Sequence, residues 1–337
     1  MPTSSVKPDI RPISLPFLRR SLPPNAPHYT KMVQLSNPSD VRPDDKIIAL
    51  MGPTGTGKST FIDIASGQKK KTAGHSLKSE TSKVRAIRIP HPDPENKNSY
   101  VLVDTPGFND TNKTDTEVLA LIAGWLKDTY KKDVKLAAIV YLHRISDNRM
   151  SGSPLQNLRM FSKLCGDGAT THVVLATTMW SKVKAGVGEK REAELKAKFW
   201  NAMLQLGSQT DRFEDNAVSA WKIIDQAVSG KQESPLLLQE ELVDLNRRLS
   251  ETEAGKTLYS SLQKLIVEQK EVIRKLRDEA NHEQNQQLVK ELTMQYEELE
   301  TSLAATFEQL KEMKIPFGRR LRMLFSFSKP RARPIEI

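Results

Sequence analysis

The stretch Met51-Gly52-Pro53-Thr54-Gly55-Thr56-Gly57-Lys58-Ser59-Thr60 decides how this chain folds. It follows the apolar run Ile47-Ile48-Ala49-Leu50 and precedes Phe61-Ile62-Asp63-Ile64-Ala65. A buried strand therefore runs into a glycine-rich turn, and the turn runs into a helix. The spacing from Gly52 to Gly57-Lys58-Ser59 is that of a phosphate-binding loop. Gly52, Pro53, Thr54, Gly55, Thr56, Gly57, Lys58, Ser59 and Thr60 are expected to line a polyphosphate. The glycines let the backbone wrap closely around it. The N–H groups at the helix start, with the helix dipole, attract the anion. Lys58 is placed to reach the outer phosphates, and the Ser59 hydroxyl to hold Mg²⁺, a hard ion that prefers oxygen.

Working outward, the next informative stretch is Val101-Leu102-Val103-Asp104-Thr105-Pro106-Gly107-Phe108, about fifty residues further on. An acidic residue ends an apolar strand and a glycine turn follows. Asp104 can reach the same Mg²⁺, and the Gly107 N–H can contact a γ-phosphate, so that the following loop senses it. Around these two stretches, strand-like and helical runs alternate. Strands are expected at Ile47–Met51, Val84–Ile89, Tyr100–Val103, Leu136–Leu142, Val173–Thr177 and near Phe213. Helices are expected after Lys58 and at Thr116–Tyr130, Leu155–Leu164, Glu189–Leu206 and Val218–Val228. The alternation implies an α/β fold with a mostly parallel sheet covered by helices on both faces. Ligands of such folds sit at the carboxyl ends of the strands, where Gly52–Ser59 falls.

With both stretches read, the chain resembles the Ras-like superfamily of P-loop GTPases and their G domain. The Asp104-Thr105-Pro106-Gly107-Phe108 version resembles the branch of the septins, the chloroplast import GTPases and the immunity-associated (avirulence-induced) GTPases. Three phrases look like a fungal group of septin-related G-domain proteins: Gly74–Ser79, Tyr141–Asp147 and Glu251–Tyr259. The resemblance covers about residues 46–280. It implies GTP and Mg²⁺ as ligands, and a switch threonine that closes over the metal and the γ-phosphate. Thr81, just before the strand at Val84, is the first candidate for that metal-binding role, and Thr72 the second. With Lys58, Thr81 makes up the expected catalytic pair.

The guanine-reading pattern of that family, Asn/Thr-Lys-x-Asp, falls here on Thr178-Met179-Trp180-Ser181. Thr178 and Ser181 are the expected base-side contacts. A serine hydroxyl is a neutral, single-point partner where an aspartate accepts two bonds, and charge-assisted bonds are about twice as strong. Trp180 either stacks on the base or belongs to the core. Ser219-Ala220 is aligned with the segment that backs the base. Phe108 stands where Ras-type enzymes carry a water-orienting glutamine, which implies slow turnover unless a dimer partner or activator supplies a group. Arg144 and Arg149 either act as that group or form local ion pairs. His143 is expected to be structural.

Composition bounds the rest. The formal net charge is +10, yet residues 44–313 are formally neutral. Residues 1–43 hold nine prolines, six basic and two acidic residues, and read as a disordered arm. Residues 314–337 hold seven basic residues and one acidic residue, and form a basic tail that is either solvated or laid on an anionic membrane surface. No specific nucleic-acid partner is expected, because the excess charge lies outside the folded body. The single cysteine, Cys165, excludes an internal disulfide framework and fits a reducing compartment, hence a cytoplasmic protein, peripheral to a membrane if the tail binds one.

The chain divides into the arm at 1–43, a G domain at 44–232, a helical coiled-coil region at 233–313 and the tail. In the helical region Leu258, Leu262, Leu265, Gln269, Val272 and Leu276 alternate steps of four and three. So do Leu292, Tyr296, Leu299, Leu303, Thr306, Leu310 and Met313. Asn281–Gln287 breaks the phase, as a stutter or as a hinge. These helices either pair with a second copy or effector, or fold back on the G domain. The expected function is a GTP-binding switch with slow or partner-dependent hydrolysis. A scaffold that scarcely hydrolyses and a P-loop ATPase with relaxed base choice are the alternatives.

Overall fold

The computed structural model describes residues 32–35, 40–68, 84–108, 110, 113–150, 152–229, 234–282, 286–314 and 331–337. Seven strands make one sheet: β1 (Val33–Leu35), β2 (Asp45–Met51), β3 (Arg85–Pro90), β4 (Ser99–Asp104), β5 (Ala138–Arg144), β6 (Val173–Thr178) and β7 (Gln209–Arg212), in the order β1-β3-β4-β2-β5-β6-β7. From β4 to β7 every pairing is parallel, while β3 runs antiparallel to β4 and β1 antiparallel to β3. The mostly parallel sheet is the expected one. β1 was not expected: it falls inside the stretch read as a solvated arm, where Leu35 and Val41 are buried. Three residues with one apolar anchor are too short for a periodic signal.

The nine helices among the described residues are α1 (Lys58–Ala65), α2 (Asp115–Tyr130), α3 (Ser153–Cys165), α4 (Ala185–Glu194), α5 (Asn201–Gln205), α6 (Ala217–Val228), α7 (Leu237–Gln239), α8 (Glu253–His282) and α9 (Gln286–Glu312). A π-helical turn, Leu195–Phe199, joins α4 to α5 within the region read as one helix. Successive strand residues point to opposite faces, and β2 is buried on both. Ile47, Ala49 and Met51 enter the core under α2, α3 and α8, while Ile48 and Leu50 enter the core under α1 and α6. A large apolar side chain buried in this way contributes about 1.5–3 kcal/mol. That is why β2 reads as a continuous apolar run and anchors the loop that follows it.

The helical region folds back as a hairpin. Gln269 Nε2 of α8 donates to Ser302 Oγ of α9 at 2.9 Å, and Lys270 Nζ lies 5.1 Å from the centre of the Phe307 ring. The first turns of α8 pack on α3, with Leu258 and Leu262 in the main core, and Met313 at the far end of α9 returns to it. The inner face of α9 is the expected one. On α8 the inner face is Leu258, Leu262, Ile266 and Gln269, whereas the expected Leu265 and Val272 are exposed. Two overlapping apolar stripes occur on this helix, and packing of its first turns on α3 and of the rest on α9 buries the one through Ile266. No helix among the described residues is long and apolar enough to cross a membrane.

Residues 331–337 correct the reading of a free tail. The Arg331 and Ala332 N–H groups donate to Glu240 Oε2 at 2.9 and 3.1 Å, and the Arg333 N–H donates to Asp167 Oδ1 at 2.7 Å. Ala332 and Ile335 are buried, and Ser162 Oγ donates to the Ile335 carbonyl. Glu240→Ala is expected to remove about 1.5–3 kcal/mol of stability, the scale of a hydrogen bond to a charged group. A lowered thermal midpoint, together with faster carboxypeptidase trimming of the last seven residues, checks this.

Candidate phosphate and metal site

The carboxyl ends of the parallel strands meet at one edge, and β2, β4, β5 and β6 each deliver a side chain or a turn there. At Gly52 φ is +134°, and a Cβ would stand 2.4 Å from the Leu142 carbonyl oxygen, so β5 leaves room only for glycine. The loop then closes on itself. Thr56 Oγ1 donates to the Pro53 carbonyl at 2.9 Å, and the Gly57 carbonyl accepts the Phe61 N–H at 2.8 Å to start α1. Lys58 Nζ donates to the Gly52 and Pro53 carbonyls at 2.8 and 3.0 Å. Its amine is therefore held inside the loop, where phosphate oxygens can replace the carbonyls. Thr60 is half-buried beside it.

Asp104 arrives because β4 pairs with β2 in a register that sets Leu50 opposite Asp104. Thr105 Oγ1 donates to the Leu50 carbonyl at 2.7 Å and fixes the strand end. Ser59 Oγ then donates to Asp104 Oδ2 at 2.9 Å. This hydroxyl–carboxylate pair, at the helix end of a phosphate loop, fits a hard cation such as Mg²⁺. Such an ion takes one or two protein oxygens, and phosphate and water supply the rest. No group of three or more His, Cys, Asp or Glu side chains among the described residues could chelate a metal alone. The turn after Asp104 touches the loop directly: the Thr54 N–H donates to the Phe108 carbonyl at 3.0 Å, and Thr54 Oγ1 to the Gly107 carbonyl at 3.2 Å. A Cβ at Gly107 would stand 2.5 Å from Thr54 N, so close approach requires glycine there too. Phe108 points into the core and is 5 % exposed. Thr81 and Thr72 lie outside the described residues.

Thr178 ends β6, Ser181 lies in the short 3-10 turn Trp180–Lys182 that follows, and Ser219 is in α6. Thr178 is buried and donates from Oγ1 to the Thr56 carbonyl at 2.9 Å. It braces the phosphate loop from the end of β6. Ser181 is exposed. Trp180 donates from Nε1 to Thr177 Oγ1 at 3.0 Å, and the Arg212 guanidinium lies 4.1 Å above its ring. Arg212 is in turn paired with Glu192 through both carboxylate oxygens. Ser219 Oγ accepts the Glu214 N–H and donates to the Asn216 carbonyl, within the first turn of α6. A helix-capping serine and a base-backing serine look alike in sequence.

Arg144 ends β5, forms an ion pair with Asp147 at 2.9 Å, and lies beside Gly55. Arg149 is exposed, and with His143 it lines a cavity of about 380 Å³ next to the site. His143 is neutral, its pKa pushed down to about 4 by burial, as befits a structural residue. The residue that sequence reading missed is Arg85, whose Nη2 lies 3.0 Å from Asp104 Oδ2. Both strands were legible, and their antiparallel pairing, which sets Arg85 opposite Asp104, was the missing signal.

The fold is that of a P-loop GTPase G domain. Residues 47–175 match the family model described as 50S ribosome-binding GTPase, a span shorter than half of the chain. Among solved structures, Toc33 from Arabidopsis thaliana in complex with GDP and Mg²⁺ is similar at 12% identity, with a TM-score of 0.43, over 61% of this chain and 86% of that one. Era from Aquifex aeolicus bound to GDP and AlF₄⁻ is similar at 13% identity, with a TM-score of 0.39, over 57% and 58%. Elongation factor SelB from Methanococcus maripaludis, with the GTP analogue GppNHp, is similar at 10% identity, with a TM-score of 0.38, over 55% and 34%. No curated protein matches the sequence.

Burial pushes Lys58 down to about 8, with Asp104 and Asp110 opposing the shift and Arg144 adding to it. The free site therefore loses this charge as pH rises through about 8. A polyphosphate stabilises the charged amine, so binding takes up a proton above that pH. Affinity for a triphosphate is expected to hold below pH 8 and then to fall, approaching about tenfold per pH unit. Lys58→Arg is expected to remove the dependence. Isothermal titration calorimetry across pH, in two buffers of different ionisation enthalpy, checks both.

Proposed function

We propose that this protein is a GTP-binding switch whose hydrolysis is slow or supplied by a partner. The observation that carries the proposal is the convergence of Lys58, Ser59 and Asp104 on the pole of the loop at Gly52–Thr60, with Ser59 Oγ and Asp104 Oδ2 2.9 Å apart. In this role Gly52–Thr60 bind the phosphates, and Ser59, Asp104 and the switch threonine Thr81 hold Mg²⁺. When bound, the ion neutralises charge that develops on the phosphates. Gly107, against Thr54, presents its turn to the third phosphate, so that the turn responds to whether that phosphate is present.

Slow turnover follows from Phe108. A buried phenyl ring cannot orient the attacking water. A partner is then required for fast hydrolysis, and Arg144, beside Gly55, and Arg149, on the cavity beside His143, are the candidate cations. Arg144 is paired with Asp147 in the free protein, which leaves Arg149 the more available cation. Within the superfamily, the Asp104–Phe108 phrase supports the septin and immunity-associated branch. Self-association or effector binding through the C-terminal helices is supported by Leu265, Val267 and Val272 on α8, and by Leu288 and Met294 on α9, all exposed. The cytoplasm is the proposed location, and an anionic membrane surface a proposed partner of the basic tail.

One observation favours relaxed base choice as a second reading. Ser181 offers only a neutral hydroxyl where guanine would meet a carboxylate, and Trp180 is already engaged by Arg212 and Thr177. Losing a bidentate charged contact costs about 1.5–3 kcal/mol of selectivity. Competition of GTP, GDP and ATP for a fluorescent guanine nucleotide on the full chain separates the readings. GTP and GDP are expected to compete at least about tenfold better than ATP, and Lys58→Ala to abolish binding. Equal competition by ATP selects the relaxed reading, and unchanged binding by Lys58→Ala refutes the site. Turnover per molecule is expected to rise with protein concentration if a second copy supplies the missing group.

A further inference from the structure

Asp104 has a partner that phosphate and metal binding leave unexplained. The antiparallel register of β3 and β4 sets Arg85 directly opposite Asp104. Directly opposed residues share one face of a sheet, so their side chains meet. Arg85 Nη2 approaches the very oxygen, Asp104 Oδ2, that takes the Ser59 hydroxyl. The Asp104 side chain is 1% exposed and that of Arg85 29%, so solvent screens the pair weakly. Arg85 Nε is buried and has no hydrogen-bond partner among the described residues. One donor of the guanidinium is thus committed to the carboxylate, and its charge stands beside the phosphate pole.

A divalent cation held by Ser59 and Asp104 must share this carboxylate with a guanidinium. Two cations so close repel, and more strongly where water is excluded. An arginine cannot relieve the repulsion by losing a proton. Arg85 opens β3, and its pairing opposite Asp104 fixes the backbone from which the guanidinium reaches the carboxylate. We infer that Arg85 is a positioning residue that sets the magnesium dependence of this site. It holds Asp104 in place and lends positive charge to the phosphate pole, so that nucleotide binds with less reliance on the metal. It also weakens the metal's own hold. This inference rests on the nucleotide reading proposed above.

The test measures Kd for a fluorescent GDP analogue on the full chain, in MgCl₂ and in EDTA, and takes the ratio of the metal-free to the metal-containing value. Arg85→Gln removes the charge and is expected to raise this ratio about tenfold or more, the scale of one hydrogen bond to a charged group. Most of the change is expected in EDTA. Arg85→Lys keeps the charge and is expected to stay within about threefold of the parent. In the background of Asp104→Asn the Arg85→Gln change is expected to lose most of its effect, as for residues that act through one contact. Circular dichroism melts establish that each variant is folded. Arg85→Met, which keeps the aliphatic stem, replaces the glutamine variant should that one not fold. An unchanged ratio in the folded neutral variant overturns the role of Arg85 and leaves the nucleotide site standing. Absence of nucleotide binding by the folded parent in both buffers overturns the site reading, and the role of Arg85 with it.

Discussion

The pairing of β2 with β4, in the register that sets Leu50 opposite Asp104, is the constraint on which the rest of the site depends. A slip of one residue would turn every side chain of β4 to the other face. Asp104 would then leave Ser59, and the buried residues of β4 would exchange their two cores. Burial on both faces makes such a slip costly, because Tyr100, Val101, Leu102 and Val103 are all enclosed. Thr105 adds a local clamp through its hydrogen bond to Leu50. The hydrophobic core therefore sets the position of a carboxylate that is itself polar and expensive to bury. That expense is offset by Ser59 and Arg85, which face it from two other elements.

The same arrangement ties the phosphate loop to its surroundings at three points. The turn at Gly107–Phe108 bonds Thr54, the end of β6 bonds Thr56 through Thr178, and β5 crowds Gly52. A loop rich in glycine has much conformational entropy to lose on ordering. These contacts remove part of that entropy before any ligand arrives, which favours a preorganised anion site. The contact with Gly107 is the one that can carry information. The turn it belongs to precedes α2, whose N-terminus Thr114 and Glu117 cap reciprocally.

Much of this was legible in the chain. The phosphate loop, Asp104, the alternation of strands and helices and the parallel character of the sheet all follow from local spacing and apolar period. What was misread required a partner distant in sequence. Leu265 and Ile266 are both apolar and both lie at plausible helical spacings, and only the packing of α8 in the fold shows which is buried. The bond from the Thr178 hydroxyl to the Thr56 carbonyl, 122 residues away in the chain, likewise has no local signal. Residues 331–337 read as part of a basic tail, because their anchors, Glu240 and Asp167, lie far away in the chain.

The sequence by itself determined the ligand class, since a glycine loop between a strand and a helix, with Lys58 and Ser59, is a local device that needs no distant contact to be recognised. It also determined that guanine reading and water placement depart from the usual pattern, since Ser181 and Phe108 are matters of residue identity. Only the tertiary structure decided which charges share the metal pole. Arg85 and Asp104 are nineteen residues apart, and nothing in either neighbourhood announces the other. Hydrogen bonding between strands brings them together, and that pairing is set by burial across the whole sheet.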